Sequence, residues 1–295
     1  MIGSFVYQFR KQFQHGLRAA YYRDLVRPRV RKSTPVFETT DRTCELHALT
    51  SSEDWVNLTW ALKSFYKHSQ KRYALCLHDD GTLSQEAKEC LRRIFPQARL
   101  IARDVADQTV ISSLAAYPRC LQLRQNNKLS LKLFDFVHYL DSGRMLLIDS
   151  DVLFFSKPVE LLRRIDDPDY RFNSVNRDIA SAYTVRPDVV AAELGFQLMP
   201  RFNSGLGLIH RESIRADDIE TFLGLPGIGG HFWQIEQTLF ALASSKFGVE
   251  MLPAEYDVRT ERGLIDGPCR HYVGAIRHLM YSEGIRRLTR AGGLR

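Results

Sequence analysis

From residue 44 onward, apolar and polar positions follow two rhythms that predict an ordered succession of strands and helices. Residues 44–50 read as a first strand, and Ser51 and Ser52 with Glu53 and Asp54 as the start of a helix through Trp60, Leu62 and Phe65. A second strand over 73–78 runs into turn chemistry at Asp79-Asp80-Gly81. Residues 84–95 fit a helix and 99–102 a third strand. Leu129, Leu133, Phe136, Val137 and Leu140 form a helical stripe. Alternating β and α elements predict an α/β fold, with a mainly parallel sheet covered by helices on both faces. No internal repeat or low-complexity segment interrupts it.

The sharpest pattern is Met145-Leu146-Leu147-Ile148-Asp149-Ser150-Asp151-Val152, an apolar run that stops on two carboxylates. The run reads as a fully buried strand of a parallel sheet. Strand alternation then places Asp149 and Asp151 on one face with Ser150 turned away. Ligands of open α/β sheets collect beyond the carboxyl ends of the strands. Two carboxylates there repel each other unless a proton or a hard cation lies between them, so the pair reads as half of a divalent-metal site for a diphosphate.

Charge changes this picture little. The formal net charge of +7 suggests nucleic acid until it is localised. Residues 1–33 hold eight Lys/Arg and one acid, Asp24. Removing them from totals of 41 basic and 34 acidic residues leaves a balanced remainder, so no nucleic-acid partner is indicated. In the same segment Phe5, Phe9, Phe13, Leu17 and Tyr21 recur every four residues. Such a helix is basic and amphipathic, as membrane-surface helices are, and would serve an anionic membrane surface. A helix packed on the protein's own domain fits the same residues. Five scattered cysteines without a CxxC favour reduced, buried thiols and a cytoplasmic protein, peripheral on the membrane if the arm binds one. The expected organisation is a basic arm and linker over 1–43, a catalytic domain over 44–280 and a basic tail over 281–295.

Three further segments follow the two aspartates in order: 202–209 (FNSGLGLI), Glu236-Gln237-Thr238, and 271–277 (HYVGAIR). With them the chain resembles glycosyltransferases of the Rossmann-like GT-A type, most closely the retaining family-8-like group of glycogenin and lipopolysaccharide galactosyltransferases. The resemblance implies a metal site of Asp149, Asp151 and His271 holding Mn²⁺ (or Mg²⁺) on the diphosphate of a nucleotide-sugar donor, a UDP-sugar by analogy. It implies donor contacts from Thr50, Ser51, Lys132, Ser150, Gly274 and Arg277, with Lys128 one turn before Lys132. Asn203, Glu236 and Gln237 fall where the family places groups around the donor sugar and the reacting carbon. Arg277 stands where the family's motif commonly has lysine. Thr50-Ser51-Ser52 departs from the acidic or amide residues that often read the uracil ring, which weakens the UDP assignment. The implied activity is hexosyl transfer, with retention, to a hydroxyl of a carbohydrate, glycolipid or protein acceptor.

Each residue also has a plainer reading. Asn203-Ser204-Gly205 is a common turn, Glu236 and Gln237 suit a solvated helix start, and Asp135 suits a surface ion pair with Lys132. Two rival functions share the Asp-x-Asp signature or the pocket: a haloacid-dehalogenase-like phosphatase, and a nucleotide-sugar-binding protein without turnover.

Overall fold

The computed structural model describes residues 13–263 and 266–292. Nine strands form among them: β1 (Asp41–Thr50), β2 (Tyr73–Asp79), β3 (Arg99–Ile101), β4 (Arg144–Ile148), β5 (Val152–Phe154), β6 (Asn173–Arg177), β7 (Phe202–His210), β8 (Val249–Met251) and β9 (Cys269–His271). Seven of them make one sheet in the order β3-β2-β1-β4-β7-β6-β8, while β5 and β9 pair separately. The first half is parallel throughout, as β–α alternation requires. Beyond β4 the sheet turns mixed, because β7 runs antiparallel to both β4 and β6.

The apolar run is the middle of this sheet. Met145, Leu146, Leu147 and Ile148 are at most 2% exposed. Each such side chain contributes about 1.5–3 kcal/mol through burial. Leu146 and Ile148 face a core shared with Leu58, Leu62 and Phe65 of the helix Trp55–Ser69. Met145 and Leu147 face a second core with Leu133 and Phe136 of the helix Leu131–His138 and Leu239 of the helix Gln234–Phe247. A strand buried on both faces needs apolar residues at consecutive positions, which is why the run is continuous.

Sequence boundaries and observed ones agree within a few residues across this half. Ser84 caps the helix Gln85–Ile94 by accepting from Ala87 N. The stripe from Leu129 is split: a short 3₁₀ turn, Lys128–Ser130, precedes the helix, with Asn127 accepting from Leu129 N. All five cysteines are buried free thiols. No helix among the described residues is long and apolar enough to cross a membrane.

Segments flanking 44–280 add to the first core. From the short helix Leu17–Tyr21 the chain continues as turns of π and 3₁₀ helix through Lys32, and Val26 and Val30 are buried in that core. Trp60 Nε1 donates to Arg27 O at 2.9 Å, and the Arg31 guanidinium lies over the Trp55 ring. Ile285 and Leu288 join from the other flank. Phe5 and Phe9 lie outside the described residues.

Candidate active site

The carboxyl ends of the parallel strands β1, β2 and β4 open onto one cleft of about 240 Å³. Thr50 and Ser51 follow β1, Asp80 follows β2, and Asp149, Ser150 and Asp151 follow β4. Lys128 and Lys132 form a second wall and Arg277 a third. The position agrees with the sequence expectation; the local geometry of the aspartates does not. β4 ends at Ile148, and Asp149-Ser150-Asp151 make a tight turn closed by Val152 N donating to Asp149 O at 3.1 Å. A turn, not strand alternation, converges the two carboxylates, and it leaves Ser150 lining the cleft between them.

The small sheet delivers the third group. Val152 pairs with His271 across β5 and β9, and Tyr272 N donates to Asp151 O at 2.9 Å. The side-chain ligand atoms of Asp149, Asp151 and His271 come within 4.8 Å of one another. Asn203 fixes the imidazole. Its Nδ2 donates to Asp178 Oδ2 at 3.0 Å, which turns Oδ1 toward His271 Nδ1, also 3.0 Å away. The same Oδ1 accepts from Gly205 N at 3.0 Å. A carbonyl oxygen is only an acceptor, so Nδ1 carries the proton and Nε2 points at the carboxylates. Gly205 makes room for the ring: a Cβ there would lie 2.3 Å from His271 Cε1 and 3.0 Å from Asp149 Oδ2. A glycine inside a strand marks a close approach of this kind.

Cations of the protein neutralise the carboxylates. Lys132 Nζ sits 2.7 Å from Asp149 Oδ1 and 3.4 Å from Glu236 Oε1. Arg277 Nη2 donates to Asp151 Oδ2 at 2.7 Å and Nη1 to Asp54 Oδ1 at 3.0 Å. His271 Nε2 lies 3.0 Å from Asp151 Oδ1. Burial opposes ionisation of Asp151, but His271 and Arg277 outweigh it and hold the carboxyl below the usual range. Burial likewise opposes a charge on His271, and Asp151 outweighs it and raises the imidazole. Burial also acts against the Lys132 ammonium, yet Asp149 and Glu236 raise its pKa. Glu236 is pushed up to about 7, chiefly by burial and against the pull of Lys132.

Glu236 and Gln237 are 3% and 5% exposed, so the helix start is not solvated. Glu236 accepts from Ser204 Oγ at 3.0 Å, while Gln237 Nε2 is buried without a partner among the described residues. Asn203 belongs to strand β7, where its Oδ1 still accepts from the backbone two residues on. Asp135 is fully buried and accepts from Arg124 Nη2 at 2.8 Å, which replaces the expected surface pair with Lys132. Thr50 is buried at the cleft wall with its hydroxyl unpartnered, and Ser51 Oγ accepts from Asp54 N at 3.3 Å. Gly274 stands apart, exposed at the start of the turn Gly274–Ile276, with nothing within 4 Å of a Cβ built on it. Asp54, Asp80 and Gly205 were missed. Asp80 and Asp54 read as turn and helix-start residues, yet they hold Lys128 at 3.1 Å and Arg277 at 3.0 Å. The signal available for Asp80 was its place just past a parallel strand, where ligands collect.

Two carboxylates and an imidazole whose remote nitrogen is tied to a carbonyl oxygen fit a hard divalent ion. No family model and no curated protein matches this chain. Solved structures do. Mouse xyloside xylosyltransferase 1 superimposes with a TM-score of 0.52 at 14% identity, over 79% of this chain and 98% of that one. The galactosyltransferase LgtC, solved with donor and acceptor sugar analogues, gives 0.51 at 15% identity over 81% and 95%. The bifunctional glycosyltransferase WbbM gives 0.54 at 15% identity over 86% of this chain, which spans about half of WbbM, 51%. The architecture of this chain, a seven-stranded mixed sheet with helices on both faces, is the Rossmann-like GT-A fold of glycosyltransferases.

Proposed function

We propose that this protein is a metal-dependent glycosyltransferase that moves a hexose from a nucleotide-diphosphate sugar to an acceptor hydroxyl, with retention. The observation that carries the reading is the convergence of Asp149, Asp151 and an Asn203-anchored His271 at the carboxyl ends of β1 and β4. These three would hold Mn²⁺, which when bound supplies a positive field for a diphosphate leaving group.

The chain's own residues account for the rest. Lys132, paired with Asp149, and Arg277, paired with Asp151, both line the cleft and would offer their charge to the diphosphate of a bound donor. Lys128 adds a third cation at the cleft mouth. Thr50 offers a buried hydroxyl and Ser51 a second one to the nucleoside. Burial raises the Glu236 carboxyl well above the usual carboxylate range, and in its protonated form it both donates to and accepts from a sugar hydroxyl. Gln237, next along the helix, has an unpartnered amide for the reacting carbon's surroundings. The acceptor oxygen bonds to the anomeric carbon as the bond to the diphosphate breaks, and the departing diphosphate takes the acceptor's proton. This front-face route suits a site in which Asp54, Asp80, Asp149, Asp151 and Glu236 are each paired with a cation.

The phosphatase alternative is not favoured. It has no use for His271 and Arg277, and the fold agrees with glycosyltransferases. A binding protein without turnover would share the metal and donor affinity, so the test separates them. Thermal unfolding is measured with nucleotide sugars carrying different bases, with and without Mn²⁺, and stabilisation by one donor only when Mn²⁺ is present is expected. Hydrolysis or transfer of that donor then establishes turnover. Donor binding indifferent to Mn²⁺ would overturn the metal site, and binding without turnover would leave the non-catalytic reading.

A further inference from the structure

The flanks of the chain meet around a cavity that shares no lining residue with the cleft. The helix Leu17–Tyr21 and the preceding turn lie against the helical segment Met280–Ile285, with His15 stacked on His278 at 4.0 Å between ring centroids. Between them opens a cavity of about 880 Å³ lined by Arg18, Arg262, Arg286, Arg287 and Arg290. Its single acid, Glu283, is already engaged by Arg270 at 2.9 Å and by Gly263 N at 3.0 Å. Arg287 lies over the Phe155 ring at 5.0 Å. Arg18, Arg262, Arg286 and Arg290 make no ion pair with any described residue. Uncompensated guanidiniums that converge in this way repel each other and call for an anionic partner.

The segment that carries Arg18 also exposes large apolar side chains. Leu17, Tyr21 and Leu25 are 75%, 46% and 60% exposed and recur every four residues, whereas Ala19, Ala20 and Val26 turn inward. Packing on the domain therefore uses the small side chains and leaves the large ones outside. Large apolar side chains beside arginines match an interfacial helix, whose apolar face enters the acyl boundary while its cations meet headgroups. A soluble anion would explain the arginines and not the leucines.

We propose that this face docks the protein on an anionic lipid bilayer, with the arginines on headgroup phosphates and Leu17, Tyr21 and Leu25 at the acyl boundary. The surface unites both flanks of the chain, so an isolated peptide of residues 1–33 would hold only part of it.

The test is co-sedimentation of the full chain with phosphatidylcholine vesicles and with vesicles that also contain phosphatidylglycerol. Sedimentation with the anionic vesicles alone is expected. Arg286→Glu with Arg290→Glu should lower the partition coefficient by about tenfold or more, given the size of each headgroup contact. Leu17→Asp with Leu25→Asp should abolish the binding that survives at high salt, where the electrostatic part is screened. Equal binding to both vesicle types, or undiminished binding by either variant, overturns the proposal. So does a wild-type chain that ignores vesicles while inorganic phosphate raises its melting temperature, the mark of a soluble-anion site. Melting temperature and donor-induced stabilisation, measured on each variant, confirm an intact fold. Vesicle binding requires neither donor nor metal, so its failure is distinct from failure of the glycosyltransferase reading.

Discussion

Two groups of side chains that could hold a metal ion occur among the described residues, and they differ in access and in charge. Asp149, Asp151 and His271 form one; His47, Cys76 and His78 form the other. The second resembles a soft-metal set more closely by composition. It lies on β1 and β2 under Phe136, and its members are at most 1% exposed. Three of its four imidazole nitrogens are already hydrogen-bonded, and the fourth, His78 Nδ1, is buried without a partner among the described residues. The Glu45 carboxylate, held by Arg99 at 2.9 Å, accepts from His47 Nε2 at 3.3 Å. His47 Nδ1 is then the acceptor for His78 Nε2 at 3.1 Å. Burial drives both imidazoles toward the neutral form, well below the ordinary value for His78. The first group keeps a side exposed to a cleft, with Asp149 31% exposed, and holds its charges with cations that a ligand can displace. Access and replaceable counter-charge, more than residue type, distinguish the first group from the second.

The comparison breaks most readily at Asp151. Asp151→Asn keeps the shape but removes the charge that faces both His271 and Arg277, so Mn²⁺-dependent turnover should fall about a hundredfold or more. Asp149→Asn should act alike, and unchanged metal-dependent activity in either variant would remove the first group from the chemistry. Gly205→Ala comes next. Its Cβ would collide with His271, so Mn²⁺ affinity should drop about 10–100-fold, with a folding cost of about 1–3 kcal/mol. A Mn²⁺ titration beside a denaturation curve reads both, and wild-type affinity would show that the ring moves aside freely.

Residues of the segment 271–277 should separate. His271→Ala weakens Mn²⁺ binding and is partly rescued by excess metal, whereas Arg277→Ala lowers turnover about tenfold with metal affinity little changed. Arg277→Lys should fall between wild type and alanine. If excess Mn²⁺ rescues both variants equally, Arg277 acts only through Asp151.

The second group should answer in stability alone. His78→Ala removes the donor to His47 Nδ1 and the contact with Phe136, for a loss of about 2–3 kcal/mol and no change in Mn²⁺ affinity. Acid should probe it most gently. His47 and His78 have folded pKa values below the ordinary 6.5, so the unfolded chain binds protons first on acidification. Their contribution is complete above pH 6.5 and is lost as pH falls below it, at up to about 1.4 kcal/mol per pH unit for each histidine. A denaturation series from pH 7.5 downward on wild type and His78→Ala should show the shallower slope in the variant; identical slopes would place the titration elsewhere.

Much of this molecule is legible in its residues, and the illegible parts share a cause. Strand β4 declares itself because burial on both faces demands a continuous apolar run. The parallel first half follows from β–α alternation, and the place of the aspartates follows from where such strands end. Asn203 is the instructive case. As a residue type it suits a turn or a sugar contact, and only the approach of Asp178 and His271 from distant segments makes it the group that orients the imidazole. Gly205 and Asp54 were passed over for the same reason, since each matters through a partner at least 66 residues away.

By itself, then, the sequence determined the α/β succession, the buried central strand and the two carboxylates at its end, because these depend on periodicity and local chemistry. Tertiary structure alone decided that the aspartates converge through a turn, that Glu236 and Gln237 are buried, that Lys132 and Arg277 serve as counter-ions, and that the two flanks close into one basic face. Those outcomes depend on which distant side chains share a low-dielectric neighbourhood, where paired charges are held and unpaired ones are costly.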